Sequence, residues 1–336
     1  MSSRRARRFS SLALRFSWLA TLDRRVTSTD YRPRVERAIR FIGENLDRPI
    51  TLAEVAKVAH LSEYHFHRIF AAITGEPIGR FVTRRRLELA ALRLAYEPSR
   101  SVTEIALAVG YSSTSNFSKA FSAHFGCAPS RVRHPDPDLP PALGKLTRTY
   151  GARFDPAALY VLPPDADEAT RRREHDALAK SVRWVDFAGL DVACLASAEG
   201  YDLPALERTW DELIARGRAL GVCDDAVDAY GMAFDSPRVT APELCRYHAC
   251  VPCPADVALP APLFRGRIPA GRYAVFRYAG DVTAVEETYR RIYSVWLPRS
   301  GVVADDFVAV DHYVNDGPVA GSVDFEIWIK VRAREP

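Results

Sequence analysis

Apolar positions between residues 31 and 133 recur with the period of a helix. Val35, Ala38, Ile39, Ile42 and Leu46 follow one another at spacings of three, one, three and four residues, the stripe of an amphipathic helix. Pro33 stands near its start, where a missing N–H costs nothing. Thr51 to Ala59 predicts a short helix opened by a capping box between Thr51 and Glu54. His60-Leu61-Ser62 predicts a tight turn, and Ser62 caps a further helix from Glu63 to Phe70. The pattern then recurs. Val102 to Val109 reads as a helix, Gly110-Tyr111-Ser112 as a turn and Ser113 to His124 as a second helix. A long helix from Ile78 to Ala95, carrying Arg84, Arg85 and Arg86, joins the two pairs. On the outer faces Tyr64, His67 and Arg68 stand together in the first pair, because residues three and four apart share a helix face. Thr114, Ser115, Ser118 and Lys119 do so in the second, with Phe117, Ala120 and Phe121 turned inward.

From His134 the run His-Pro-Asp-Pro-Asp-Leu-Pro-Pro lacks helix-forming capacity and reads as a linker, continued to residue 180 with a possible helix opening at Arg171. From Val182 the texture changes to strand-like alternation, in Val182–Phe187, Tyr273–Tyr278 and Phe325–Val331, with helical runs at Leu203–Leu220 and Val282–Trp296. This half also reads as duplicated. Gly189, Gly200, Leu206, Trp210, Leu213 and Gly221 return as Gly271, Gly280, Val285, Tyr289, Ile292 and Gly301. The expected fold is therefore multidomain. An all-α domain with two helix-turn-helix units (31–133) precedes a linker (134–180) and an α+β domain of duplicated β-α-β-β units (181–336). A basic, disordered tail is expected over 1–30.

Composition narrows the function. The chain has 336 residues, 48% hydrophobic and 26% charged, an ordinary soluble composition. No apolar run approaches the ~20 residues of a membrane span. The six cysteines are too few for a disulfide scaffold, which makes a cytoplasmic location the default. The net charge of +4 hides an asymmetry. Residues 1–150 hold 25 Lys/Arg against 13 Asp/Glu, and the remainder hold 21 against 29. A basic half points to nucleic acid. A helix that follows a tight turn with Tyr64, His67 and Arg68 outermost is what a major groove admits. Arg68 suits a guanine edge, and the short hydroxyl side chains of the second helix suit phosphates more than bases. Arg84, Arg85, Arg86 and Arg131 are further phosphate candidates. No P-loop, Gly-x-Ser-x-Gly, His-Glu-x-x-His or dinucleotide fingerprint is present, so neither a catalytic residue nor a cofactor is expected. Cys245, Cys250 and Cys253 with His248 lack the loop-borne spacing of structural zinc. They read as buried free cysteines, with no metal.

The two helical strings, ITLAEVAKVAHLSEYHFHRIFAAITGEPIGRFVTRRRLELAALRLA and SVTEIALAVGYSSTSNFSKAFSAHFGCAPSRVR, resemble the AraC/XylS-type DNA-binding domain. The resemblance implies transcription regulation at promoters, with RNA polymerase as a partner. It assigns base-facing positions to Tyr64, His67 and Arg68 in one recognition helix and to Thr114, Ser115, Ser118 and Lys119 in the other. In the acidic half YGMAFDSP, AGRYAVFRYAGDVTAVEETYRRIYSVWLPRSG and VDFEIWIKV resemble the GyrI-like effector-binding domain. Lys330 departs from that family's frequent proline. This resemblance implies a groove for an amphipathic or cationic small molecule, with Glu326 as its anion, Trp296 and Tyr313 at pocket positions, and Tyr230 and Phe234 nearby. Hydrolysis of a reactive small molecule, or capture of a protein by a module tethered to DNA, are the alternatives. The expected outcome of Lys119→Ala is weaker DNA binding with a shallower salt dependence, measured as the slope of log K against log salt. An unchanged slope rules out a phosphate contact from Lys119.

Overall fold

The computed structural model describes residues 31–136, 138–163, 165–224, 228–313 and 322–334. The basic segment 1–30 lies outside them. The helical half contains α1 (Tyr31–Glu44), α2 (Leu52–Val58), α3 (Glu63–Thr74), α4 (Ile78–Tyr96), α5 (Val102–Ala108), α6 (Thr114–Phe125) and α7 (Pro129–Arg133). The capping boxes of Thr51 with Glu54 and of Ser101 with Glu104 are both formed, and Ser62 and Ser113 cap α3 and α6. The two tight turns match bond for bond. His60 and Gly110 donate to Lys57 and Leu107, and Leu61 and Tyr111 donate to Ala56 and Ala106. Both turns need a left-handed residue, at φ 54° for His60 and 81° for Gly110. Only at the second turn is the space also closed. A Cβ on Gly110 would lie 2.3 Å from the Leu46 carbonyl and 2.7 Å from Arg86.

Helix α4 has apolar residues on every side, and beyond an exposed patch at Gly79, Arg80 and Thr83 it is largely buried. Phe81 packs with Val35 and Ile42 of α1 and with Phe66 and Phe70 of the first helix pair. From Leu87 to Tyr96 it packs with Ile105, Phe117, Phe121 and Phe125 of the second. That second core continues without a break into the sheet half, through Trp296, Phe325, Ile327 and Ile329. The expected linker is correspondingly not a spacer. Residues 134–180 contain α8 (Lys145–Tyr150), a 3-10 turn (Pro156–Leu159) and α9 (Glu168–Ser181). Phe154 is fully buried with its ring centroid 4.3 Å from that of Phe125, and Tyr96 donates to the Leu159 carbonyl at 3.0 Å. The prolines interrupt helix, as read, but scattered apolar side chains hold the segment against the core.

The sheet half is one antiparallel sheet of β1 (Arg183–Phe187), β2 (Leu190–Ala196), β3 (Ala229–Ala233), β4 (Tyr247–Pro252), β5 (Phe264–Ile268), β6 (Gly271–Asp281), β7 (Val302–Tyr313) and β8 (Ser322–Ala333). Its order is β1-β6-β8-β7-β3-β4-β2-β5. Helices α10 (Leu203–Ala219) and α11 (Val285–Arg291), the latter continued by a π turn (Ile292–Trp296), complete the fold. Side chains of one face meet α10 and α11. On the opposite face all eight strands contribute to one cluster around Tyr230, Phe264, Tyr273 and Trp328. The sheet therefore curls until both of its edges share a core.

The two halves are joined by buried charge. Arg84 bonds Glu76 at 2.7 Å and Glu88 at 3.0 Å. Arg85 bonds Glu88 at 3.1 Å and crosses to Asp235, which also accepts from Arg246 at 2.9 Å. His248 of β4 lies 3.4 Å from Glu36 of α1. Burial opposes the Asp235 charge, yet Arg246 and Arg85 hold its carboxyl at about 2. Asp235→Ala leaves two guanidiniums short of a buried partner. The expected cost is about 3–5 kcal/mol in urea unfolding, and a loss below about 1 kcal/mol would mean that water reaches the cluster.

Candidate nucleic-acid interface and ligand groove

On α3, Tyr64 is 70% exposed, and His65 and His67 are exposed beside it. The Arg68 guanidinium lies 5.7 Å from the Tyr64 ring centroid and 3.4 Å from its hydroxyl. On α6, Ser115 and Lys119 are exposed, Ser118 is half-buried, and Thr114 bonds Thr103 at 3.2 Å. Buried phenylalanines fix both helices from behind, Phe66 and Phe70 in one and Phe117 and Phe121 in the other. Each outer row is thus presented from a packed scaffold. Arg131 donates one guanidinium nitrogen to the Pro140 carbonyl at 2.8 Å.

The arginine triplet on α4, expected to meet phosphates, faces inward instead. Arg84 is 3% exposed and saturated by Glu76 and Glu88. Arg85 is spent on Glu88, Asp235 and the Phe234 carbonyl. Arg86 donates to the Leu46 and Arg48 carbonyls at 2.9 and 2.6 Å. A phosphate would have to displace internal partners at each. The triplet reads as surface in the sequence because its acidic partners lie up to 150 residues away.

Of the expected ligand residues only Glu326 and Tyr230 come together. Alternation along β8 sends Glu326 away from Phe325 and Ile327, onto the face opposite the helices. There Arg183 donates to it at 2.6 Å and Trp328 at 3.0 Å, and His312 lies at 3.4 Å. Burial pushes its carboxyl up, and those hydrogen bonds outweigh burial and hold it below the usual range. Tyr230 stacks on His312 with centroids 4.5 Å apart and so shares that face. Phe234 packs on His248 and under Arg246 beside the helical half. Trp296 is 2% exposed and held between Phe276 and Trp184.

Tyr313 lies on the helix face, and the residues around it form a different constellation. Trp210 of α10 meets Tyr313 at 5.3 Å, Phe325 lies 5.2 Å away, and the Tyr247 and Tyr313 hydroxyls are 3.4 Å apart. Beneath them Asp311, 7% exposed, accepts a hydrogen bond from Tyr289 of α11. The structure gives it no cationic partner among the described residues. Burial pushes its carboxyl up to about 7, against the smaller downward pull of the Tyr289 hydroxyl. Sequence reasoning missed Asp311, Tyr289, Trp210 and Tyr247 as a site. Trp210 and Tyr289 already stood at equivalent places in the two halves of the apparent repeat, which was the available signal.

Two family models match the chain. One described as a helix-turn-helix domain covers residues 55–134, and a GyrI-like small molecule binding domain covers 187–332. The regulatory protein SoxS of Salmonella typhimurium is 34% identical over 100 residues, which are 30% of this chain and 92% of SoxS. The chain belongs to the AraC family of DNA-binding transcription regulators. This AraC-family regulator carries the GyrI-like domain as its second half. It is also 33% identical to the RCS-specific HTH-type transcriptional activator RclR of Escherichia coli over 127 residues, 37% of this chain and 44% of RclR. An AraC-type regulator structure from Chromobacterium violaceum is 25% identical, with a TM-score of 0.30 over 32% of this chain and 96% of that one. Among the described residues no helix is long and apolar enough to cross a membrane, and no group of His, Cys, Asp or Glu is placed to hold a metal ion.

Asp311 makes a pH prediction. Its folded pKa lies above its ordinary value of 3.8. The stability it contributes is therefore present below that value and lost as pH rises through about 7. Asp311→Asn keeps the acceptor for Tyr289 and removes the titration. The variant should out-stabilise the parent by on the order of a few kcal/mol at high pH and lose that advantage in acid. Urea unfolding of both proteins across the range measures the difference, and a pH-independent gap excludes a shifted Asp311.

Proposed function

We propose that this regulator reads promoter DNA sequence-specifically with two recognition helices, α3 and α6, and that its sheet half binds a hydrophobic cation. The matching turns and caps of the two helix pairs support two DNA-reading units. Tyr64, His67 and Arg68 are the base-reading residues of α3. Thr114, Ser115, Ser118 and Lys119 serve α6, with more phosphate than base contact, and Arg131 adds a phosphate contact. The two helices enter successive major grooves about 34 Å apart, so one chain reads a non-palindromic site. The strand order supports duplication in the sheet half. The segments β2-α10-β3-β4 and β6-α11-β7-β8 each place their third strand between the other two, and they meet at the β3–β7 pair.

The observation that carries the ligand reading is Asp311, a buried carboxyl bonded by Tyr289 and close to Tyr247 and Tyr313, with Trp210 and Phe325 packed on Tyr313. A buried carboxyl with no cationic partner among the described residues and aromatic side chains close by attracts a desolvated cation, which would draw it into its charged form through charge and cation–π contact. Effector occupancy then shifts DNA affinity or contact with RNA polymerase at cytoplasmic promoters. The named relatives are transcription regulators, which favours this reading over hydrolysis.

Selection of bound duplexes from a random pool at physiological salt tests the DNA reading. A motif spanning two successive grooves is expected. Salt-sensitive binding with no motif refutes sequence readout. With the motif in hand, Arg68→Ala should relax specificity at one base pair by about 1–3 kcal/mol. Uniform weakening across all sequences would reassign Arg68 to the backbone.

A further inference from the structure

We infer that α4 is the lever through which the groove and the DNA-reading helices act on each other, by way of a Tyr293–Tyr96 stack and an Asp235–Arg85 bridge. The inference rests on the groove reading above and assigns its regulation. The two sides of the Asp311 site reach α4 through separate chains of contacts.

On one wall, Tyr289 holds Asp311. Four residues further along the same helix, inside the π turn, Tyr293 stacks on Tyr96 at the end of α4, with centroids 5.6 Å apart and planes 19° from parallel. Phe307 closes the trio at 6.0 Å from Tyr96 and 5.5 Å from Tyr293. Arg290 donates to the Tyr160 carbonyl at 2.7 Å, and the Tyr160 hydroxyl donates to the Ala95 and Val132 carbonyls. A π turn is rare and recurs at functional sites, and this one lies between Tyr289, which holds Asp311, and the Tyr96 end of α4.

On the other wall, Tyr247 packs edge-on against Tyr201 at 6.3 Å. Tyr201 donates to the Asp235 carbonyl at 2.6 Å and accepts from its N–H at 3.0 Å. The Asp235 carboxylate bonds Arg85 in the middle of α4. The next residue, Arg86, ties α4 to the Leu46 and Arg48 carbonyls ahead of the first helix pair. The end of α4 packs the second pair. Two helices that must fit successive grooves at a set spacing tolerate little change in the rod between them. A shift of α4 is therefore a shift in DNA affinity, and by reciprocity DNA binding is felt at the groove.

The test is amide hydrogen exchange of the full chain with and without a duplex recovered by selection. DNA should slow exchange roughly threefold or more across residues 285–296. Tyr293→Leu should abolish that slowing while DNA affinity stays within about threefold. Tyr293 is a safe site, because its buried hydroxyl has no hydrogen-bond partner. Arg85→Lys, which keeps the charge and loses the fork, provides the second variant and should blunt the same response. In the parallel arm tetraphenylphosphonium is the probe. Its Kd should change about fivefold or more on DNA binding in the parent and stay level in Tyr293→Leu. No change in exchange in the parent, or slowing that survives both variants, overturns the inference. Slowing that Tyr293→Leu abolishes, with no tetraphenylphosphonium binding, upholds the coupling and removes the groove reading instead.

Discussion

The structure turns on a balanced set of charges taken out of water around α4. Glu76, Glu88 and Asp235 face Arg84, Arg85 and Arg246, three carboxylates against three guanidiniums. Removing such groups from water costs several kcal/mol per ion. The arrangement is tolerable only when every member is present and in register. It contributes little net stability and much specificity. A rotated or translated sheet half would leave Arg85 or Asp235 buried and unpaired, which fixes where that half sits on α4. The continuous apolar core from Leu87 through Trp296 to Ile329 supplies the favourable burial, and the charges select one docking among the many that burial alone would accept.

Everything else hangs from that helix. Its first turns complete the core of one helix pair and its last turns the core of the other, so the spacing between α3 and α6 is a property of α4. The segment that follows the second pair is drawn into the same core by Phe154 and Leu159. The molecule has no free hinge among its described residues between the helical and sheet halves. A regulator built this way has to pass a signal through packed contacts.

Strand alternation decides the chemistry of the sheet half. Along β7, Asp311 and Tyr313 project to the helix face and His312 to the other. Along β8, Phe325 and Ile327 join the first set and Glu326 and Trp328 the second. Two carboxylates two strands' width or less from one another thereby acquire opposite characters. Glu326 is answered by Arg183 and lies below its usual pKa range, whereas burial raises Asp311 to about 7. The difference comes from which face each side chain enters.

Local signals were legible in the chain because their physics is local. Capping boxes, tight turns, helical stripes and the outer rows of α3 and α6 each involve residues within a few positions of one another, and they appear where the pattern places them. Alternation likewise told that Glu326 opposes its apolar neighbours. It could not tell which face would carry α10 and α11, since that depends on how a curled eight-stranded sheet meets two distant helices. The same limit made Arg84, Arg85 and Arg86 look solvent-facing and residues 134–180 look like a spacer. The sequence by itself determined the helix pairs, the exposed outer faces of α3 and α6 and the strand alternation. The tertiary structure alone decided which charges are buried, that the two halves share one core, and that Asp311 rather than Glu326 stands among the aromatic rings. Burial is a property of everything packed around a residue, and no neighbour in sequence specifies it.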